Sequence, residues 1–371
     1  MGYREGENIF IEYRWAEGHP EQQEEMQNQK KGECDMKAAQ ISGAGGEFEI
    51  VDREIPTPGP NQVRVKVEAC GICHSDAFVK EGLFPGIAFP RVPGHEVAGI
   101  IDEVGPGVSA WEKGQRVGVG WHGGHCFKCD SCRAGDYMLC ENAKICGISY
   151  DGGYQEYMVA EQEALALIPD DLNSAEAAPL LCAGITTYNS LRNSGARGGD
   201  VVAVQGIGGL GHLAVQFAQK LGYKTVALSG GKDKKTLADK LGAHYYIDTN
   251  SENAVEALQK LGGARVILAT APNSKAISGL VDGLGPNGKL LIVAAAVEPI
   301  EVSPLQLIMG RKTIAGWPAG HAKDSEAALR FSALSGVLPM IETYPLEHVA
   351  EAYHQMINNR ARFRVVLTMT G

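Results

Sequence analysis

Three features are absent from the sequence, and each absence excludes a class of protein. No hydrophobic run approaches the roughly 20 residues that cross a bilayer, although 44% of the residues are hydrophobic. The first residues contain no basic stretch followed by an apolar one, so we expect no secretory signal. Positive charge is scarce, since 34 Lys and Arg against 44 Asp and Glu give a net charge of −10. We therefore expect neither a membrane nor a nucleic acid as a partner.

Cysteine is too sparse for a disulfide scaffold, because the 371 residues include only nine, an odd number. Four of the nine are nevertheless clustered: Cys126, Cys129, Cys132 and Cys140. Four thiolates at these spacings can close a tetrahedral zinc site that has no open position, which stabilises a fold and performs no chemistry. An iron–sulfur cluster is the main alternative. Clustered thiols favour a reducing, cytoplasmic location. We expect the neighbouring His122 and His125 to be exposed and not to be ligands.

Composition divides the chain into an extension and two domains. Residues 1–35 contain nine acidic and four basic side chains, which indicates a flexible N-terminal extension. Residues 36–182 are β-rich with many Gly and Pro turns, and Val alternates with polar residues at 63–67. This pattern predicts a small barrel-like domain with long loops. Residues 183–315 alternate between strand and helix patterns, and residues 316–371 return to the first domain.

The alternating region predicts a doubly wound parallel α/β sheet. Its strands are predicted at 201–205, 225–228, 244–248, 265–270, 289–294 and 313–315. In the returning segment we expect helices near 324–335 and 347–358 and a final strand at 364–368.

A glycine-rich turn follows the first of these strands and precedes a helical stretch. It reads Gly206, Ile207, Gly208, Gly209, Leu210, Gly211. The first glycine allows a tight turn, the second lets backbone approach a pyrophosphate, and the third lets helix and strand pack closely. Backbone N–H groups at the helix start then hold the phosphates. In this context the turn predicts a dinucleotide site of the Rossmann type, and the alternative is an ordinary glycine turn.

A second group of metal-ligand residue types is dispersed along the chain. Cys73 and Cys182 offer two thiolates, and His95 offers an imidazole. Three protein ligands leave a fourth position on zinc open for water or substrate, as in catalytic zinc sites. Spacing alone leaves open the alternative that these residues are simply buried in the core.

Together, segments 71–76 and 94–96, the four-cysteine cluster, Cys182 and the glycine turn resemble the zinc-dependent medium-chain alcohol dehydrogenases in order and spacing. The resemblance covers residues 36–368. It implies a GroES-like catalytic domain at 36–182 that includes a structural-zinc lobe, and a Rossmann cofactor domain at 183–315. Residues 316–371 would complete the catalytic domain. The implied activity interconverts an alcohol and an aldehyde or ketone, using NAD or NADP and two zinc ions per subunit.

The resemblance also implies roles for the residues around the catalytic zinc. Cys73, His95 and Cys182 match its ligands. Asp76 matches the partner of the far His95 nitrogen, which fixes the tautomer of a ligating imidazole. Glu96 matches a carboxylate behind the metal, and its alternative is a buried acid paired with a base.

Other matched positions concern the proton and the cofactor. Ser75 stands where the family has the hydroxyl that takes the alcohol's proton. His74 and Arg364 match basic residues at the cofactor pyrophosphate, although both could instead be ordinary surface residues. Thr186 and Leu210 match residues packed around the nicotinamide.

The resemblance extends to the substrate pocket, and the sequence departs from the family pattern at two positions. Trp121 matches an aromatic wall of the pocket, where a bulky indole favours small or flat substrates. Phe78 replaces a histidine that passes the proton to solvent in many relatives. Ser229 replaces the acid that grips the ribose in NAD-preferring relatives. Three lysines follow it: Lys232, Lys234 and Lys235. We therefore expect NADP to be preferred over NAD.

Two other functions are compatible with parts of the sequence. A zinc-free reductase of the same superfamily would lack the combination of Cys73, His95 and Cys182. A zinc-ribbon module that binds nucleic acid or protein would not need the glycine turn, and the acidic balance opposes it. Relatives without a long insertion near the structural-zinc lobe are commonly tetramers, so we expect a homo-oligomer, tetrameric rather than dimeric, that acts on a small alcohol or aldehyde.

Overall fold

In a computed structural model of the chain, the structure describes residues 35–369. The flexible extension predicted at 1–35 therefore lies outside the described residues, except for Asp35. No helix within 35–369 is both long and apolar enough to cross a membrane.

The first part of the described chain consists mainly of short antiparallel strands. They are β1 (Asp35–Ile41), β2 (Phe48–Glu54), β3 (Gln62–Ile72), β4 (Val97–Val104), β5 (Arg116–Val119), β6 (His122–Gly124), β7 (Lys144–Ile145), β8 (Tyr157–Glu161) and β9 (Leu165–Leu167). The helices of this part and of its junction with the next are α1 (Ser75–Lys80), α2 (Asp130–Arg133), α3 (Ser174–Pro179) and α4 (Ile185–Arg192). In β3, Val63, Val65 and Val67 are buried and the residues between them are more exposed, as their alternation predicts.

The next part contains a six-stranded parallel sheet. Its strands are β10 (Val201–Gln205), β11 (Lys224–Ser229), β12 (Tyr245–Asp248), β13 (Ala264–Ala269), β14 (Leu284–Ile292) and β15 (Thr313–Gly316). Its helices are α5 (Gly211–Lys220), α6 (Lys235–Lys240), α7 (Ala254–Lys260), α8 (Ser274–Gly279) and α9 (Pro304–Ile308). The strand order is β12-β11-β10-β13-β14-β15. The predicted doubly wound fold is confirmed, and the strand order reverses between β10 and β13.

Two strands of this sheet show how well local pattern locates a boundary. The first strand, β10, has its predicted bounds, because its apolar run ends directly at the glycine turn. The fifth strand, β14, begins at Leu284 and not at residue 289. Pro286 and Gly288 read as a turn in the sequence, but Leu284 pairs with Ala264 before a register shift in the ladder. Tertiary pairing therefore extends the strand through residues that locally favour a turn.

The last part of the chain joins the antiparallel sheet of the first. It contains α10 (Ala322–Ser335), β16 (Ile341–Pro345), α11 (Val349–Ile357) and β17 (Arg364–Thr368). Strand β17 pairs antiparallel with β3, and β16 lies parallel beside it. The resulting sheet has the order β16-β17-β3-β4-β5-β9, and β8 also pairs with β3.

Three groups of buried apolar residues hold these layers together. One lies within the antiparallel part and includes Val65, Ile101 and Leu367. The other two include residues from the parallel sheet, and the larger of them joins Leu181 and Leu329 to Phe217 of α5. Burying one such side chain contributes roughly 1.5–3 kcal/mol. The larger group therefore ties the parallel sheet firmly to the segments that surround the candidate site.

Candidate metal and cofactor site

The pairing of β3 with β4 brings two separate segments of the chain together. The strands are antiparallel, and Cys70 lies opposite Val97. Cys73 follows the end of β3, and His95 and Glu96 precede the start of β4. These three residues therefore lie at the same edge of the sheet, and all three are buried.

Cys182 reaches this edge from a single π-helical turn, Leu180–Gly184, which lies between α3 and α4. Such turns are frequent at functional sites. The Sγ atom of Cys182 lies 3.8 Å from the Sγ atom of Cys73. The possible ligand atoms of Cys73, His95, Glu96 and Cys182 all lie within 4.8 Å of one another. The structure thus brings together the dispersed residues that the sequence singles out.

A buried carboxylate lies against the imidazole of this group. Oδ1 of Asp76 lies 3.1 Å from Nδ1 of His95. Oδ2 of Asp76 accepts hydrogen bonds from the backbone N–H of Cys73, at 2.8 Å, and from the hydroxyl of Tyr154, at 2.9 Å. Nε2 of His95 has no hydrogen-bond partner among the described residues. The free imidazole nitrogen is thus left for a ligand, and Tyr154 is a neighbour that sequence reasoning missed.

Glu96 forms a buried ion pair with Arg364. Strand β17 places Val365 opposite Ile72 of β3, so the side chain of Arg364 reaches the same sheet edge. One guanidinium nitrogen donates both to Oε1 of Glu96 and, at 3.2 Å, to the carbonyl oxygen of Ile72. Burial raises the pKa of Glu96 to about 7, and the guanidinium of Arg364 opposes this rise. Oε1 of Glu96 is thus paired, whereas Oε2 has no hydrogen-bond partner among the described residues and Glu96 also belongs to the group of possible ligands.

Aromatic rings form one side of the site. The ring of Trp121 stands edge-on to His95, with centroids 5.0 Å apart. Phe84 packs against Trp121 at 5.6 Å, and Phe78 packs against Phe84 at 6.1 Å. The hydroxyl of Ser75 lies 3.8 Å from Sγ of Cys73. Phe84 belongs to the same row of rings as Trp121, and no motif in the sequence marks it.

The four clustered cysteines form a second group whose ligand atoms lie within 4.8 Å of one another. Its members are Cys126, Cys129, Cys132 and Cys140. The backbone N–H groups of Cys126 and Asn142 each donate to Sγ of Cys140 at 3.3 Å. Hydrogen bonds from the backbone N–H groups of Lys128 and Cys129 lower the pKa of Cys126 to about 6. The backbone therefore favours thiolates here, which is the form that binds metal.

The expectation that His122 and His125 are exposed is wrong. His122 is 5% exposed, and His125 is partly buried. The ring of His125 stacks on Tyr137 with centroids 4.1 Å apart, and His321 from the start of α10 lies 6.4 Å from His122. Burial lowers the pKa of His122 to about 4. Rings distant in sequence cover these histidines, which no local pattern reports.

The glycine turn has the geometry that its sequence predicts. Gly206 has a φ of +94°, a conformation that residues with a Cβ rarely adopt. A Cβ on Gly211 would lie 1.9 Å from the carbonyl oxygen of Gly206, so only glycine lets α5 approach β10 this closely. Gly208 faces open space.

A cavity of about 930 Å³ lies beside this turn. The predicted residues that line it are Gly206, Ile207, Gly208, Gly209, Ser229 and Lys234. It opens at the carboxyl ends of the parallel strands, at the point where the strand order reverses, which is where α/β sheets bind ligands. The predicted residues that do not line it are His74, Thr186, Leu210, Gly211 and Arg364.

Charged residues of both signs line the cavity near Ser229. Asp233 and Lys234 come from the turn that precedes α6, and Arg362 comes from the last part of the chain. Asp233 stands between Lys232 and Lys234 in the sequence, and its negative charge opposes the NADP preference that the lysines alone predict. Arg362 carries no local signal, because it reaches the cavity only when β17 pairs with β3.

Comparison with known proteins identifies the family. The alcohol dehydrogenase GroES-like domain model matches residues 59–170, and the zinc-binding dehydrogenase model matches residues 209–333. Alcohol dehydrogenase patD of Penicillium expansum is 46% identical over 333 residues, which cover 90% of this chain and 97% of that protein. The two family models define a class of zinc-binding dehydrogenases, to which a buried group of two thiols and an imidazole is suited. The chain belongs to the zinc-dependent medium-chain alcohol dehydrogenase family.

Solved structures share the whole two-part architecture. A structure described as an NAD-dependent alcohol dehydrogenase has a TM-score of 0.83 and 28% identity, with 90% of this chain and 100% of that one covered. A protein named CAD from Helicobacter pylori, complexed with NADP(H), has a TM-score of 0.80 and 28% identity, with 91% and 98% covered. Similar folds therefore accompany either nicotinamide cofactor.

Proposed function

We propose that the protein interconverts a small alcohol and the corresponding aldehyde or ketone, by hydride transfer to or from a nicotinamide cofactor at a catalytic zinc site. The observation that carries this proposal is the convergence of Cys73, His95 and Cys182 around an imidazole nitrogen that has no partner within residues 35–369. The cavity beside the glycine turn supplies a second, independent reason for a nicotinamide cofactor.

The residues at this site fit zinc. Two sulfurs that are each about 2.3 Å from a tetrahedral zinc are about 3.8 Å apart, and 3.8 Å separates the sulfurs of Cys73 and Cys182. His95 would bind through Nε2, because Oδ1 of Asp76 lies 3.1 Å from Nδ1 and Nε2 has no partner among the described residues. Bound zinc polarises the oxygen of an alcohol or carbonyl and lowers the pKa of the alcohol.

The chain's own residues would then orient the substrate and carry its proton. The Ser75 hydroxyl, beside Cys73, would accept the proton of the alcohol and return it in the reverse reaction. Trp121 and Phe84 would exclude water from the substrate and favour small or flat molecules. Phe78 cannot carry a proton, so the proton would leave Ser75 through the cofactor ribose and water.

We propose NADP as the preferred cofactor. Ser229 does not repel a 2′-phosphate, and Lys234 and Arg362 line the same cavity. A charge-assisted contact from one cation is worth about 1.5–3 kcal/mol, or roughly tenfold to a hundredfold in affinity. Asp233 lines the cavity too and opposes this preference.

The remaining cofactor contacts are also proposals. Arg364 would reach the pyrophosphate past Gly209, because a Cβ on Gly209 would lie 3.0 Å from its guanidinium. His74 would contact the pyrophosphate from the exposed end of α1, and Thr186 and Leu210 would pack near the nicotinamide.

We propose that the four-cysteine cluster binds a second, structural zinc. The sulfurs of Cys129 and Cys140 are 3.9 Å apart, close to the separation expected at tetrahedral zinc. Four cysteine sulfurs would fill all four positions of a tetrahedral zinc, so no position would be left for a substrate.

We propose that the enzyme is a homo-oligomer, tetrameric rather than dimeric, in a reducing cytoplasm where its thiol clusters stay intact. Strand β15 is an edge strand, and in the segment just before it in the chain Leu305, Ile308 and Met309 are 67%, 67% and 82% exposed. An edge with exposed apolar side chains favours pairing with another chain. Sedimentation should give about four times the chain mass of 39.5 kDa, and a monomer would contradict the proposal.

Replacing one proposed ligand tests the central proposal. Cys182→Ala should abolish alcohol oxidation and remove one of two zinc ions per subunit, while circular dichroism stays that of the wild type. The matched control is Cys70→Ala, because Cys70 is buried outside both clusters; it should keep both zinc ions. Wild-type turnover in Cys182→Ala would show that Cys182 is not a ligand.

A further inference from the structure

Asp76 has three contacts that together determine how its carboxylate is held. Its side chain is fully buried. Oδ1 faces Nδ1 of His95, and Oδ2 accepts from the N–H of Cys73 and from the hydroxyl of Tyr154. The contact with Cys73 ties the carboxylate to backbone only three residues away in the chain. Among its contacts with the described residues, the one with the hydroxyl of Tyr154 reaches farthest along the chain, 78 residues away.

Tyr154 is itself held rigidly. Its backbone N–H donates to the carbonyl oxygen of Pro93 at 3.0 Å, and its carbonyl oxygen accepts from Ala39 at 2.8 Å. Its ring packs against Gly94, where an added Cβ would lie 2.5 Å from Cδ1 of Tyr154. Gly94 precedes His95, so the ring is fixed against the segment that carries the imidazole. Burial and the charge of Asp76 raise the pKa of Tyr154, so its hydroxyl remains a donor.

A buried tyrosine can serve only to pack the core, or its hydroxyl can also hold another side chain in place. The hydrogen bond of Tyr154 distinguishes these two roles. Packing alone requires the ring of Tyr154 and not its hydroxyl, since a phenylalanine ring occupies nearly the same volume. The hydroxyl lies 2.9 Å from an oxygen of Asp76. Removing it would leave Oδ2 with the Cys73 N–H as its remaining protein donor, and the carboxylate could turn away from the imidazole.

We propose that Tyr154 is a positioning residue of the catalytic metal centre, whose hydroxyl holds Asp76 so that its other oxygen orients His95 toward the metal. This proposal rests on the proposed function, because it requires that His95 bind a metal. Partners of ligating histidines typically contribute about tenfold to a hundredfold in metal affinity or activity. Tyr154 contacts Asp76 and not His95 itself, so we expect its effect to lie near the lower end of this range.

The test compares Tyr154→Phe with Tyr223→Phe. Tyr223 is also a buried tyrosine, but its hydroxyl donates to the carbonyl oxygen of Leu191, away from either cysteine cluster. The zinc-loaded enzymes are exposed to a chelator, and the loss of the first zinc is followed over time. In Tyr154→Phe this loss should be about tenfold faster than in the wild type, and in Tyr223→Phe it should be unchanged. The visible spectrum of the cobalt-loaded enzyme should shift only in Tyr154→Phe.

A double-mutant cycle shows whether Tyr154 acts through Asp76. If it does, Tyr154→Phe should have little further effect on chelator sensitivity or kcat once Asp76→Asn is present. A Tyr154→Phe variant with wild-type zinc release and cobalt spectrum would overturn the proposal, even if its melting temperature falls. If Cys182→Ala keeps wild-type zinc content and turnover, the proposed function fails instead, so the two failures are distinguishable.

Discussion

Ser229 and Asp233 favour opposite cofactors at the end of the cavity that, under the proposed function, would receive the adenosine half of a dinucleotide. Ser229 is the last residue of β11 and is nearly buried, while Asp233 lies in the next turn. Both line the cavity together with Lys234. A serine leaves room for a 2′-phosphate, whereas a carboxylate accepts hydrogen bonds from an unphosphorylated ribose. Under the proposed function, cofactor choice would therefore depend on a few charges within one turn.

We predict that Ser229→Asp changes this choice. The new carboxylate should repel a 2′-phosphate and accept hydrogen bonds from the ribose. The ratio of kcat/KM for NAD to kcat/KM for NADP should rise at least about tenfold. Steady-state kinetics with both cofactors measure this ratio. Thr57→Asp, which adds the same charge at an exposed position in the antiparallel part, should leave the ratio unchanged. A clear wild-type preference for NAD would refute the proposed NADP preference.

At the scale of elements, the lobe from β6 to β7 has little secondary structure around its four cysteines. It contains a two-stranded ladder, one short helix, α2, and a single 3₁₀ turn. Phe127 and Leu139 in this lobe are largely exposed and add little to a core. So small a segment needs a cross-link to stay ordered, and a metal bound by four thiolates would supply it.

We predict that Cys129→Ser destabilises this lobe without stopping the reaction. One zinc should be lost, and the melting temperature should fall by at least about 5 °C, while kcat per folded molecule changes less than about threefold. Metal analysis and calorimetry measure these effects. Cys146→Ser alters a buried cysteine outside both clusters and should keep both zinc ions. A variant as stable as the wild type but inactive would assign a catalytic role to this cluster.

At the scale of the whole molecule, His212 connects the parallel sheet to the end of the chain. It is fully buried in α5. Its Nδ1 lies 2.9 Å from the carbonyl oxygen of Gly208, and its Nε2 accepts from the N–H of Met340 at 3.1 Å. A neutral imidazole satisfies both contacts, whereas a protonated one loses the contact with Met340. Burial lowers the pKa of His212 to about 4.

We predict that this histidine contributes to acid sensitivity. Its pKa is lower in the folded state than in the unfolded state, where it is near 6.5, so the unfolded chain binds more protons between these values. The effect of His212 on the free energy of unfolding is therefore absent above about pH 6.5. As the pH drops toward 4, protonation of the unfolded chain lowers this free energy by about 3 kcal/mol in total. Urea unfolding at pH 7, 5.5 and 4 measures this loss. His212→Gln should lose about 3 kcal/mol less on acidification, whereas His348→Gln, at an exposed site, should behave like the wild type. Parallel curves for His212→Gln and the wild type would refute the assignment.

Local sequence was sufficient for the features whose parts lie close together along the chain. The glycine turn needs only β10, six residues and the start of α5, so its spacing and its apolar flanks predict its conformation. The four-cysteine cluster spans residues 126–140, and short loops limit how far apart its sulfurs can lie. The doubly wound sheet also followed from sequence, because alternating strands and helices admit few other arrangements.

Tertiary structure alone decided how the dispersed site is assembled. Arg364 contacts Ile72 across 292 positions of sequence, and Tyr154 contacts Asp76 across 78. The first contact depends on the register of antiparallel pairing between β3 and β17, and the second on the backbone hydrogen bonds that hold Tyr154 to Ala39 and Pro93. A local pattern encodes neither of them. The family resemblance predicted the group of Cys73, His95 and Cys182, but the burial of His122 and the hydrogen bond of Tyr154 had no signal in the sequence. Both result from side chains that meet only when distant strands and helices pack.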